Sequence, residues 1–266
     1  MTGVCTALAI GGGSNPLTVV TARTIVTVLL LLAWLRFAGV ALAMPRRDMM
    51  LAVLIAIPLS INNYLLNAAL AEIPVPLAVL IFYLWPAITT AASWALGRER
   101  FRGRTAIGLA AAFAGVALAL DVEFTEAQAR GVWFALGASL TWSLTFLLTG
   151  HFFRGRDTRP PTLYMSLTAL TFFVAACVIT GDVRLPQTPA GWSGIAAVGF
   201  FYVFALIGLF TATARIGPMR AGFYMNFEPI AALLLAALIL GQTLAPIQLA
   251  GAALVICALF VFRPPA

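Results

Sequence analysis

The sequence predicts an all-α integral membrane protein, and three of its properties lead to this prediction. Hydrophobic residues make up 62% of the 266 residues and charged residues only 9%, whereas soluble domains hold about 45–50% apolar and roughly 25% charged residues. The apolar residues form long runs, most of which are long enough to cross a bilayer as helices. All sixteen basic residues are arginine, and thirteen lie in or beside alternate connections between these runs.

Charged residues and Pro- or Gly-containing breaks divide the apolar runs into nine spans, preceded by a short stub at Met1–Ile10. In chain order, the breaks lie at Arg36 to Arg47, Glu72 to Pro74, Arg98 to Arg104, Asp121 to Arg130, Arg154 to Arg159, Asp182 to Arg184, Arg215 to Gly217 and Leu240 to Gln242. The spans cover residues 17–38, 49–70, 75–96, 105–120, 132–151, 162–180, 191–214, 218–240 and 246–262. No soluble domain fits between them.

The distribution of arginine predicts the orientation of the spans. The connections opposite to the Arg-rich ones hold only Arg130 and Arg184, together with five acidic residues. Because cytoplasmic loops carry the excess of basic residues, the Arg-rich loops and the C-terminus are predicted to be cytoplasmic. The net charge of +7 then reflects topology and lipid-headgroup contact, and no nucleic-acid partner is expected. The Lys-free, Arg- and Ala-rich composition suggests a GC-rich bacterial genome, and the spans themselves would target the protein to the inner membrane.

The chain also contains a predicted internal repeat. Shifting the sequence by 143 residues places Leu70–Ala117 over Thr213–Phe260, so that Pro86 meets Pro229. An acidic turn in the first half then corresponds to a basic turn in the second, so the two halves have opposite orientations. We therefore expect two inverted five-span repeats, residues 1–121 and 131–263. Secondary transporters commonly use this design, with the substrate site at the midplane.

The repeat leaves too few residues for a complete first span. Its counterpart in the second half covers Val132–His151, whereas Met1–Ile10 supplies about ten residues, which reach roughly 15 Å as a helix. We expect Met1–Ile10 to form a short helix that ends at Gly11-Gly12-Gly13 near the periplasmic face. The sequence thus predicts an apparently truncated first helix, and a functional protein that begins upstream of Met1.

Glu228 is the only acidic residue placed deep inside an apolar span. It lies roughly 15 Å from the start of its span, near the middle of the ~30 Å hydrocarbon core. A charge at that depth costs about 2.5–3.5 kcal/mol unless it faces a cavity or a partner. Pro229 beside it removes a backbone donor and frees the carbonyl group of Met225. We predict that Glu228 lines a solute or ion pathway; the alternative is a structural carboxyl group that hydrogen-bonds a neighbouring helix.

Aromatic and amide residues at similar depth complete a predicted substrate site. Asn63 and Asn67 are four residues apart, and amides inside lipid need partners, so we expect them to point inward. The predicted substrate-binding residues are Glu228, Tyr224, Asn226, Tyr83, Trp85, Asn63, Asn67, Trp142 and Tyr202, and the predicted hinges are Pro86 and Pro229. The alternative for each aromatic residue is helix packing, and for the asparagines it is interhelical hydrogen bonding alone.

Two further features have structural interpretations. Arg23, about two turns into its span, is expected to reach the periplasmic face or to pair with an acid such as Glu72. The small residues Gly108, Ala112 and Gly115 form a close-packing face, within the chain or between protomers.

Several strings in the chain resemble the EamA repeat of the drug/metabolite transporter superfamily. They are Ile73-Pro74-Val75-Pro76-Leu77-Ala78-Val79-Leu80, Tyr83-Leu84-Trp85-Pro86, Gly97-Arg98-Glu99, Asn226-Phe227-Glu228-Pro229 and Leu240-Gly241-Gln242. The second repeat of the family usually ends the last string with Glu, so Gln242 departs from the pattern. The Tyr83–Pro86 string is similar to that of an aromatic amino-acid exporter in the superfamily. The resemblance implies a ten-helix fold and a transporter.

The combined features predict a secondary transporter or exporter of small metabolites, most simply amino acids, aromatic ones included, that works by alternating access. Efflux of cationic or amphipathic drugs is the alternative, since the same acid and aromatic rings would accept such molecules. A membrane scaffold without transport activity is an alternative from another class. No enzyme activity, cofactor or metal site is predicted. The expected partners are the substrate, the lipid bilayer and, for a coupled transporter, protons. The sequence does not decide whether the protein forms an oligomer.

Overall fold

The computed structural model describes residues 9–73, 75–97, 103–120, 129–231, 234 and 245–261. Every regular element in these ranges is an α-helix. The helices are α1 (Pro16–Phe37), α2 (Arg46–Glu72), α3 (Val75–Phe82), α4 (Trp85–Ala95), α5 (Gly103–Leu120), α6 (Ala129–Phe152), α7 (Arg159–Thr180), α8 (Pro189–Ile216), α9 (Pro218–Met225) and α10 (Pro246–Val261). Residues 9–11 and 227–231 are also helical.

Within the described ranges, six segments are long and apolar enough to cross a membrane. They are Pro16–Phe37, Arg46–Ala69, Leu77–Ala95, Ala129–Phe152, Arg159–Thr180 and Pro189–Ile216, and two shorter apolar helices cover Gly103–Leu118 and Pro246–Ala258. These helices lie where the sequence places its spans, so the all-α, multi-pass fold class is confirmed.

Helix boundaries repeat along the chain with a constant offset. The paired first residues, each pair 143 positions apart, are Pro16 and Arg159, Arg46 and Pro189, Val75 and Pro218, and Gly103 and Pro246. The offset therefore relates α1 to α7, α2 to α8, α3 to α9 and α5 to α10, which extends the repeat well beyond the segments matched in the sequence.

Local chemistry explains several helix ends. The Asn15 side chain accepts a hydrogen bond from the backbone N–H of Thr18 at 2.9 Å, and Pro16 opens the first turn of α1. Both residues are favoured at helix N-termini. Helix α7 ends at Thr180 and is followed by Gly181, whose φ of 64° suits glycine at a helix C-terminus. Residues 9–11 end in a turn at Gly12 and Gly13, where the predicted short helix ends.

The chain divides into two compact units that each draw on both predicted repeats. Unit one contains Met1–Ser60 and Phe152–Arg215, and unit two contains Ile61–His151 and Ile216–Ala266. The repeat boundaries at residues 121 and 131 stay a prediction.

In unit one, α1 packs on α7 and α8. Its core contains Val28, Leu31 and Leu35 from α1, with Leu163 from α7 and Val203 from α8. The buried Asp48 at the start of α2 forms a bidentate ion pair with Arg156. Nη1 of Arg156 donates to Oδ1 of Asp48 at 3.0 Å, and Nη2 donates to Oδ2.

In unit two, α5 packs tightly on α10. A Cβ atom added at Gly115 would lie 2.9 Å from the carbonyl oxygen of Gly251 and 2.7 Å from a methyl carbon of Val255. The predicted small-residue face of α5 thus packs within the chain. The core beside it includes Tyr83, Val116 and Phe223.

Some predictions concern residues outside the described ranges. These are residues 1–8 of the stub, the end of the span that reaches residue 240, Gln242, the arginines at 98, 100, 102 and 263, and the acids at 121, 123 and 126.

Candidate functional site

The site lies where two membrane helices of unit two break. Helix α3 ends at Phe82, Tyr83 and Leu84 form a turn, and α4 begins at Trp85. Helix α9 ends at Met225, Asn226 forms a turn, and residues 227–231 are helical again. Each turn begins three residues before a proline, because proline lacks the N–H that would bond the carbonyl one turn earlier. Tyr83 and Asn226 are equivalent under the offset of the repeat.

A hydrogen bond joins the two broken helices. The hydroxyl group of Tyr83 donates to Oε2 of Glu228 at 3.1 Å. Tyr83 is only 7% exposed, whereas Glu228 is exposed. The pair therefore links a hydroxyl group in the core of unit two to the carboxylate of an exposed residue.

Aromatic rings surround the first break. Trp85 is 1% exposed and packs on Phe146, with ring centroids 4.4 Å apart, and edge-to-face on Trp142 at 6.5 Å. The ring centroids of Phe82 and Trp142 lie 6.3 Å apart. Trp85 thus forms the inner layer of this aromatic cluster, while Trp142 is half-buried and lies nearer the surface.

A glycine and a serine set the position of Trp85. A Cβ atom added at Gly222 on α9 would lie 3.0 Å from Cζ3 of Trp85, so the absent side chain lets α9 approach α4. The hydroxyl group of Ser143 on α6 donates to the carbonyl oxygen of Trp85 at 2.9 Å. Because Tyr83 meets Glu228 while Trp85 meets Gly222, the two broken spans run in opposite directions, as an inverted repeat requires.

Two of the predicted asparagines donate hydrogen bonds to backbone carbonyl groups of their own helices. Asn226 is 2% exposed, and its amide donates to the carbonyl oxygen of Phe223 at 2.9 Å, at the end of its own helix. Asn67 donates to the backbone oxygen of Asn63 at 2.7 Å. The buried neighbour Asn62, which was not among the predicted ligands, ties α2 to α6 through the carbonyl oxygen of Ala138 at 2.8 Å.

Two predicted aromatic residues lie outside this cluster. Tyr224 is 43% exposed and packs edge-on against its neighbour Phe223. Tyr202 belongs to unit one, where the guanidinium carbon of Arg23 lies 3.9 Å from its ring centroid. Glu72, the acid named as an alternative partner for Arg23, forms an ion pair with Arg130.

The cluster of Tyr83, Trp85, Trp142, Phe146 and Glu228 combines an acid with π-faces. Because Tyr83, Trp85 and Phe146 are buried, the half-buried Trp142 ring and the Glu228 carboxylate are the groups of this cluster that can attract cations and planar molecules. Sequence reasoning missed Phe146 and Ser143. Both lie within about one helical turn of Trp142 on α6. Phe146 is four residues after Trp142 and therefore shares its helix face, so the helical spacing from Trp142 could have identified it.

Comparison with known proteins gives the family. The model of the EamA-like transporter family matches residues 1–120 and 129–263. A solved crystal structure matches with a TM-score of 0.78 and 19% sequence identity, over 97% of this chain and 91% of that chain. At this identity the likeness shows the fold alone. No curated protein matches the sequence. The chain belongs to the EamA-like transporter family and is a multi-pass membrane transporter of small molecules.

Proposed function

We propose that the protein exports amino acids, aromatic ones included, across a bacterial inner membrane by alternating access. The observation that carries this proposal is the Tyr83–Glu228 hydrogen bond between two broken membrane helices. Broken helices at mid-membrane are the usual place for substrate sites in transporters built from inverted repeats. The export direction is proposed from the resemblance to the EamA family only, since the sequence does not encode direction.

Glu228 supplies the charge that an amino acid's ammonium group needs. An exposed carboxylate at this depth faces either lipid or water, and its cost in lipid favours a water-filled cavity. In that cavity it binds the ammonium group or carries the coupling proton. Tyr83 holds one carboxylate oxygen, which leaves the other to the ligand.

The aromatic cluster supplies the surface for the substrate side chain. Trp142 is half-buried, so its ring stacks on an aromatic substrate while the buried Trp85 and Phe146 fix its orientation. Pro86 and Pro229 serve as hinges, because each lies just after a break that has already lost backbone hydrogen bonds.

A growth screen tests the substrate class. Cells that overexpress the protein are exposed to toxic analogues of aromatic and aliphatic amino acids, and in parallel to cationic dyes. We expect resistance to the aromatic analogues without resistance to the dyes, and loss of that resistance in Glu228→Gln at unchanged membrane expression. Dye resistance alone would replace the proposal by drug efflux, and resistance to neither would contradict it.

A further inference from the structure

An apolar groove lies between α1 and α7, two membrane-spanning helices of unit one. Its volume is about 400 Å³, which is within the roughly 300–1,000 Å³ of small-ligand pockets. The lining residues recur every three or four positions on both helices, so each helix contributes one face. The apolar walls include Ala22 and Ile25 of α1, Val174 and Val178 of α7, and Val183 and Leu185 of the segment after α7.

One end of the groove lies at the end of the spans. There the segment after α7 is tied to the start of α1, because the amide of Asn15 donates to the carbonyl oxygen of Asp182 at 2.7 Å and the backbone N–H of Arg184 donates to Oγ1 of Thr18 at 3.0 Å. From Thr18 the groove extends seven residues to Ile25, roughly 10 Å along the helix. This length is less than the ~15 Å half-thickness of the hydrocarbon core, so a hydrocarbon chain that enters at this end can fill the whole groove.

The chemistry of the walls favours a hydrocarbon occupant. Two threonines line the groove, and both of their hydroxyl groups already make hydrogen bonds within the chain. Thr18 accepts the bond described above, and Thr21 donates to the backbone one turn earlier at 2.8 Å and lies 3.3 Å from Sγ of Cys177. A polar ligand would lose its hydration here without gaining a free partner from these groups, whereas an apolar chain loses nothing.

The charge at the outer end matches a phospholipid headgroup. Arg184 lies between the lining residues Val183 and Leu185, is highly exposed, and uses Nε for its ion pair with Asp182 at 3.0 Å. Among the described residues, Asp182 is the only side chain that pairs with this guanidinium, so the two Nη groups are left to an outside anion. A phosphate group suits the planar guanidinium, and lipid phosphates lie at the surface of the hydrocarbon core.

We propose that the groove between α1 and α7 binds one acyl chain of a phospholipid, whose phosphate group contacts Arg184. The site belongs to unit one alone and is independent of the identity of the transported substrate.

Photo-crosslinking in vesicles tests the proposal. The full chain is reconstituted in phosphatidylcholine vesicles that contain a small fraction of the same lipid with a photoactivatable diazirine in one acyl chain, and the adducts are mapped by mass spectrometry. We expect adducts at the groove residues in excess of those at Leu29, an exposed residue of α1 outside the groove. Adducts no more frequent than at Leu29 would indicate ordinary contact with bulk lipid and would overturn the proposal.

Two neighbouring variants separate the groove from the surface beside it. Val178→Trp places a large ring in the groove, whereas Ile179→Trp adds the same ring at the next position, which does not line it. The native side chains are 77% and 84% exposed, so neither substitution disturbs the core. We expect the groove adducts to fall several-fold in Val178→Trp and to persist in Ile179→Trp, and equal adducts in the two variants would contradict the proposal.

Two further measurements test the headgroup and the competing occupant. Arg184→Gln should lower adduct formation by the phospholipid probe but not by a diacylglycerol probe, which lacks the phosphate group. Equal losses for both probes, or no loss for the phospholipid, would overturn the assignment of the phosphate to Arg184. Loss of the wild-type adducts on addition of excess L-phenylalanine would identify the groove as a substrate site and would overturn the lipid assignment.

Discussion

At the scale of single residues, the site depends on a contact between distant parts of the chain. Tyr83 and Glu228 are 145 positions apart, yet their side chains share a hydrogen bond. The tyrosine ring packs in the core of unit two, so its hydroxyl group is held in place before a ligand arrives. Such pre-organisation reduces the ordering cost of binding.

Tyr83→Phe isolates the contribution of this hydroxyl group. The ring keeps its packing, so we expect stability to change by only about 0.5–1.5 kcal/mol. The Glu228 carboxylate loses its fixed orientation, so transport should fall several-fold in a proteoliposome assay. The matched control is Tyr164→Phe, which removes a hydroxyl group bonded to the carbonyl oxygen of Leu42 in unit one. Equal transport by the two variants would contradict a role for the Tyr83 hydroxyl group.

Individual site residues were only partly predictable from the sequence. Glu228 was identifiable because a lone acid in an apolar span carries a high free-energy cost and is therefore usually functional. Its contact with Tyr83 depends on how α3 packs against the second broken span, which no local signal encodes. The functional role of all nine predicted residues stays a prediction. Asn226 shows the difficulty, because its position at depth is compatible both with ligand binding and with the helix-end hydrogen bond that it makes.

At the scale of helices, glycine determines which pairs approach closely. Gly115 meets the backbone of α10, and Gly222 meets Trp85 on α4. Small residues at such crossings allow van der Waals packing that holds helices together within a bilayer, where the hydrophobic effect does not.

Gly115→Ala tests the crossing of α5 and α10. The added Cβ atom would lie 2.9 Å from backbone atoms of Gly251 and Val255, so the helices must separate. We expect a loss of about 1–3 kcal/mol in unfolding free energy, measured by denaturation in detergent. Gly208→Ala is the control, because its new Cβ atom meets nothing within 4 Å. A loss no larger than that of the control would show that the crossing is loose.

Arg156→Gln tests the ion pair that ties α2 to the segment before α7. Removing the guanidinium leaves the buried Asp48 carboxylate without this partner, so we expect a destabilisation of about 1–3 kcal/mol. Arg184→Gln should cost less than about 1 kcal/mol, because both members of its ion pair are exposed. Thermal unfolding of the two purified variants measures the difference, and equal midpoints would contradict the structural role of Arg156.

The helices themselves were largely predictable, because their boundaries lie at charges, prolines and glycines. The breaks were predicted less well. Pro86 and Pro229 indicated kinks, but each turn begins three residues earlier, at Tyr83 and at Asn226. The lost hydrogen bond lies on the N-terminal side of a proline, so the helix opens there.

At the scale of the whole molecule, the repeat and the charge distribution both predict two halves of opposite orientation in the membrane. The turn at Glu72 is acidic and the turn at Arg215, 143 residues later, is basic, as an inverted repeat predicts. Membrane spanning follows from the helices and the family, whereas the side on which each loop lies is still a prediction.

Cysteine labelling tests that orientation. Arg154 and Arg184 are exposed residues at opposite ends of α7. In a variant whose native cysteines are replaced by alanine, a membrane-impermeant maleimide added to intact spheroplasts should label Arg184→Cys and not Arg154→Cys. Permeabilised cells, in which both should react, are the control. The reverse pattern would place the Arg-rich loops outside.

We propose that Glu228 forms the substrate site of the transporter, and counterflow in proteoliposomes measures this role. Exchange of a labelled aromatic amino acid is measured over a range of pH for the wild type, Glu228→Gln and the control Glu72→Gln. The control removes an acid of unit two that pairs with Arg130. We predict that Glu72→Gln transports normally, while Glu228→Gln loses at least about 90% of the exchange, a factor of ten, or loses its dependence on the pH gradient. Wild-type exchange by Glu228→Gln at every pH would contradict the claim.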